Sequence, residues 1–165
     1  MELITAIHEA GHAVAFSRLF PTRDLGKVSI IPDHDEGFAG ACSSEGLWGA
    51  EDEEHLANHD TYGCAGYAAV LVAGYSEEEA AAGCESDFEE VFGDLDAAKA
   101  RAIDLMRQPS NLKAVKRLAD ELVLRKELHP DHVDYLIGLA DGELPENEYL
   151  QLLGYRGWNN CDPTW

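Results

Sequence analysis

Basic residues are scarce in this chain. Twelve lysines and arginines stand against 32 acidic residues, a formal net charge of −20 over 165 residues, which excludes an electropositive face for a phosphate backbone and with it nucleic acid as a partner. Long apolar runs are lacking too. No stretch approaches the roughly 20 apolar residues that cross a bilayer, and the opening "MELITAIHEAGH" lacks the basic, then apolar, then small-residue order of a secretory signal. The expected protein is cytoplasmic, with no membrane partner. Cys42, Cys64, Cys84 and Cys161 form no CxxC pair, which argues against a cysteine zinc site or a thioredoxin-type centre and for free buried thiols. No GxxxxGK[ST] loop occurs either, so the chain carries no P-loop.

The chain has the length of one domain. We expect it to be mainly α, spanning 1–153, with a small β-sheet or hairpin inserted after the first helix and an aromatic-containing tail at 154–165. The apolar positions Ile4, Ile7, Val14 and Leu19, ahead of Pro21, predict a helix over Glu2–Leu19. The β-branched "GKVSIIP" and the Gly-bounded "EGFAGACSSEG" then read as strands. A buried small-residue helix is expected from His59 to about Ala82, and a helical region from Asp87 to Met106 that Gly93 interrupts. "NLKAVKRLADELVLRKEL" has apolar spacings of three and four at Leu112, Val115, Leu118, Leu122 and Val123, and a shorter helix follows over Pro130–Leu139. The runs Glu51–Glu54 and Glu77–Glu79 read as solvated surface.

Within the first helix lies "AIHEAGHAVA". Histidines four apart share one helical face, so His8 and His12 can reach one metal ion without distorting the backbone. Glu9 falls beside them, badly placed as a ligand but well placed to take a proton from an attacking water, the arrangement of HExxH hydrolases. A shuffled chain of this composition holds the pattern roughly 0.03 times. Gly11 inside the helix costs about 1 kcal/mol relative to alanine and so points to a packing or functional need. His34, His55, His59, His129 and His132 have no matching spacing and read as surface or capping residues.

The sequence resembles the peptidase domain of FtsH-type zinc metalloproteases. "AIHEAGHAVA" resembles that family's zinc helix, "GKVSIIPD" the strand after it, and "AAVLVAGYSEEEAA" its small-residue helix; "GCESDFEE" resembles the stretch whose aspartate is the third ligand. The likeness runs over about 6–106. It implies His8, His12 and Asp87 as Zn2+ ligands and Glu9 as catalytic base. Asp94, in "GDLDAAKA", is the second candidate for third ligand, and Glu77, Glu78 or Glu79 follow if a glutamate serves. The short segment ahead of His8 leaves no room for the family's ATPase module or membrane anchor.

The expected function is thus a stand-alone, ATP-independent zinc metalloendopeptidase acting on unfolded or flexible polypeptide, with "KVSIIP" offering an edge for substrate addition. The alternative is a non-catalytic binding or regulatory module that keeps a structural zinc. A homo-oligomer or a separate activating partner stays open.

Overall fold

The computed structural model describes residues 2–32, 41–44 and 52–157, the strand at 41–44 by its backbone. Its centre is α1, Glu2–Leu19. The helix is Ala-rich and buried around much of its circumference, at Ala6, Ile7, Ala10, Ala13, Val14, Ala15 and Phe16, the pattern of a helix enclosed by neighbours rather than laid on a surface. Those neighbours are chiefly α7, Pro109–Arg125, and α3, Ala65–Val72. Gly11 sets the approach to α3: a Cβ there would lie 2.6 Å from the Ala65 carbonyl oxygen and 2.6 Å from Ala69 Cβ. Close packing, not flexibility, is the reason for that glycine.

The strands form one small antiparallel sheet in the order β2-β1-β3, with β1 at Leu25–Ser29, β2 at Ala41–Ser44 and β3 at Glu127–Leu128. Val28 pairs with Cys42 on one side and Leu128 on the other. The strand expected to offer an edge is therefore the middle one. Its second side is filled because α7 stops at Lys126, whose φ of 71° turns the chain back into β3. The helical spacing of "LVLRKEL" gave no sign of that two-residue strand.

The expected helix over 59–82 is three pieces: the end of α2, Glu53–Gly63, then α3, then α4, Glu77–Ala81. Cys64 caps α2 and α3 alike, Gly74 (φ 100°) leaves α3, and Ser76 with Glu79 forms a capping box that starts α4. The region 87–106 divides into α5, Glu85–Glu89, and α6, Leu95–Met106, around Gly93. In α7 the buried stripe includes Asn111 and leaves Leu112 exposed, because Asn111 ties Arg18 Nε (2.8 Å) to the Leu105 carbonyl (2.9 Å). Arg18 also pairs in bidentate fashion with Asp141 at the end of α8, Pro130–Asp141. A last helix, α9 at Glu146–Tyr155, follows Pro145; the tail beyond 157 lies outside the described residues. Among the described residues no helix is long and apolar enough to cross a membrane.

Candidate metal centre

Two chain segments, α1 and α5, bring polar atoms to one point. His8 and His12 sit one turn apart on α1, with ring centroids 4.7 Å apart and Nε2 atoms 3.1 Å apart. Asp87, from α5, sets Oδ2 at 3.1 Å from His8 Nε2 and 3.4 Å from His12 Nε2. Donor atoms held about 2.0–2.1 Å from a tetrahedral ion stand about 3.3–3.4 Å from one another. The triangle of Nε2, Nε2 and Oδ2 has nearly those edges. His8, Cys84 and Asp87 likewise each offer an atom, all within 4.8 Å of one another, and form a group that could hold a metal ion. The Asp87 side chain keeps 26% of its exposure against 6% for His12, so solvent reaches the point from the aspartate side.

The ring of His12 is aimed from outside the triangle. Its Nδ1 lies 3.1 Å from the Tyr62 carbonyl oxygen. That of His8 lies against α3, where a Cβ on Gly66 would meet its ring atoms at 2.5 to 2.6 Å. Its Nδ1 faces Cys84 Sγ at 3.8 Å.

Asp87 is held through α2. The buried Asp60 carboxylate accepts the amides of Phe92 (2.9 Å) and Gly93 (3.0 Å), tying the end of the α5 segment to α2. At Gly63 a Cβ would come within 3.2 Å of the Asp87 carbonyl oxygen. On the other flank Lys99 of α6 sits over the rings of Phe88 (4.3 Å) and Tyr67 (4.7 Å).

Charge follows this geometry. Burial pushes the Asp87 carboxyl up, but its bonds with His12 and His8 outweigh burial and hold it well below the usual carboxylate range. Glu9, buried at 6% exposure, is raised to about 7, first by burial and then by Asp87, with His8 opposing. A carboxylate on α1 with a pKa near neutrality has the property a general base needs. The Cys84 thiol is pushed up to about 12 by burial and the nearby Asp87, Glu85 and Cys64.

Of the residues singled out in the sequence, His8, His12 and Asp87 meet, with Glu9 beside them. Asp94 is elsewhere: it caps α6, accepting the Ala97 amide at 2.7 Å. Glu79 bonds Ser76, and Glu77, Glu78 and Glu79 are all exposed. His129 caps α8, accepting the Asp131 amide at 3.2 Å, but His59 and His132 are buried, contrary to the surface reading. His59 packs on Phe92, and His132 meets Tyr149 Oη at 3.1 Å. His34 lies outside the described residues. Cys64 and Cys84 are free and buried, whereas Cys161 and the Cys42 side chain are not described. Sequence reading missed Asp60, Tyr62, Gly63, Gly66 and Cys84 as supports; the clustered small residues of "YGCAGYAA" were a local signal for Tyr62, Gly63 and Gly66 alone.

No protein-family model matches the chain, and no curated protein matches it.

Proposed function

We propose that this chain is a zinc-dependent metallopeptidase that hydrolyses peptide bonds in unfolded or flexible polypeptides and needs no ATPase of its own. The observation that carries the reading is the convergence of His8 Nε2, His12 Nε2 and Asp87 Oδ2 at tetrahedral edge distances. Two nitrogens and one carboxylate oxygen, with solvent on the open side, form the donor set of a catalytic rather than a closed structural zinc site. The likeness of "AIHEAGHAVA" and "GCESDFEE" to FtsH-type peptidases supports the same assignment.

Zinc held by His8, His12 and Asp87 would supply Lewis acidity toward the scissile carbonyl and would lower the pKa of water to about 7. Glu9 then acts as base: it takes the proton of the attacking water as the new C–O bond forms and delivers it to the amine as the C–N bond breaks. Burial, which keeps its carboxyl near neutrality, suits it to both transfers. Opening a folded substrate opposes cleavage by about 5 to 15 kcal/mol, and no P-loop in these residues couples ATP to that work.

The test is hydrolysis of casein and of a stable folded protein by the purified chain, each with and without chelator and ATP, with Glu9→Gln as blank. Chelator-sensitive, ATP-indifferent cleavage of casein alone is expected. Cleavage of the folded protein, or dependence on ATP, overturns the substrate reading. One observation favours the alternative of a structural zinc in a binding module, namely the Cys84 thiol within the ligand group; metal retained without any hydrolysis would select it.

A further inference from the structure

We infer that Cys84 is a positioning residue for His8, and the inference rests on the metallopeptidase reading. The side chain of Cys84 is wholly buried. Its Sγ–H donates to the Ala80 carbonyl at 3.1 Å, so the proton of the thiol is already committed and the sulfur turns its lone pairs toward His8 Nδ1, 3.8 Å away. A sulfur in that state can only accept, which puts the proton of the neutral imidazole on Nδ1 and leaves its Nε2 as the lone pair facing His12 and Asp87. The two nitrogens lie on different edges of the ring. Cys84 therefore holds the edge that faces away from the triangle, while Gly66 fixes the plane, because only a residue without Cβ leaves the ring room against α3.

The two histidines are thereby oriented by unlike acceptors. His12 has a backbone carbonyl oxygen, and His8 has a thiol, a weaker and softer partner. Cys84 also starts α5, three residues before Asp87, so the same turn that delivers the third ligand delivers the group that aims the first. An outer partner of this kind fixes tautomer and ring orientation, and its loss typically lowers metal affinity about 10–100-fold.

Two measurements test this. Long-range proton–nitrogen correlation spectra of the metal-free chain at about pH 8, where a free imidazole is neutral, are expected to show His8 protonated at Nδ1 in the wild type and shifted toward Nε2 in Cys84→Ala. Zinc affinity, read by competition with a chromophoric chelator, is expected to fall about 10–100-fold in Cys84→Ala. Cys84→Ser should recover part of the loss through its hydroxyl acceptor, and Cys64→Ala, which removes a second buried thiol, should bind as wild type. Equal affinity of wild type and Cys84→Ala, or a wild-type His8 protonated at Nε2, overturns the inference and leaves the peptidase reading standing. A thiolate-to-cobalt charge-transfer band in the cobalt-loaded wild type also overturns it, by making Cys84 a ligand. A wild type that binds no divalent metal overturns both.

Discussion

His12 donates its Nδ1–H to the carbonyl oxygen of Tyr62 at 3.1 Å across 50 positions of sequence. A carbonyl oxygen only accepts, so a proton sits on Nδ1, and in the neutral ring Nε2 is the lone pair that points at His8 and Asp87. Three acceptor atoms facing one another repel unless a cation or a proton lies among them. Removing a donor should then remove the metal: His8→Ala, His12→Ala and Asp87→Asn are each expected to lose bound zinc, measured by elemental analysis of purified protein holding one ion per chain. Wild-type stoichiometry in any of the three would dismiss that residue as a ligand.

Asp94→Ala separates the two candidate aspartates. It deletes the cap of α6 and should cost about 1 kcal/mol of stability with zinc content unchanged. Chemical denaturation beside metal analysis reads both, and a loss of zinc would move the third ligand from Asp87 to Asp94.

Glu9→Gln should retain zinc and lose hydrolysis, because the amide keeps the shape and removes the base. If the substitution released the metal, Glu9 would be a ligand.

Two glycine substitutions on facing helices should fail differently. In Gly66→Ala the atoms nearest the new Cβ are those of the His8 ring, at 2.5 to 2.6 Å, a side chain that can swing away, so zinc affinity is expected to fall with melting temperature little changed. In Gly11→Ala the Cβ meets the Ala65 backbone and Ala69 Cβ at 2.6 Å. Helices must part there, and overpacking of this kind costs about 1–3 kcal/mol. Equal melting losses in both variants would show that His8 cannot yield.

The pH dependence of stability should carry the mark of His132. Burial, then electrostatic interaction with Arg125 and His129, lower its pKa from 6.5 to about 4, and its Nε2 meets Tyr149 Oη, which donates on to Glu121 at 3.5 Å. Between about pH 4 and 6.5 the unfolded chain therefore binds a proton that the folded one refuses. The full contribution is present above pH 6.5 and is lost as pH falls toward 4, a change of about 3 kcal/mol. Urea unfolding of wild type and His132→Gln across that range should show the wild type losing stability more steeply on acidification; parallel profiles would refute it.

How much of this was legible in the sequence depends on the range of the contacts. The spacing of His8 and His12 is a local property of a helix, and Glu2–Leu19 forms as the apolar pattern and Pro21 predict. The mainly α class with a small sheet was likewise readable. Asp87 emerged only through resemblance, since nothing local separates it from Asp94 until Ala97 is seen taking the latter as a cap. Tyr62 contributes a backbone oxygen, which no residue identity reveals. Asn111 displaced Leu112 from the buried stripe because Arg18, 93 positions away, needed its side chain. His59 and His132 read as surface because polarity alone does not report which way a helix face turns.

The last turn of α2 also works as a gauge block. Tyr62 sets the His12 ring by its carbonyl, Asp60 grips the amides at 92 and 93, and Gly63 admits the Asp87 backbone. Side chains from distant parts of the chain are thus placed against one turn of helix. A shift of that turn carries the His12 ring and the Asp87 arm together and preserves their spacing. His8, seated on α3, is the part of the triangle against which such a shift would register.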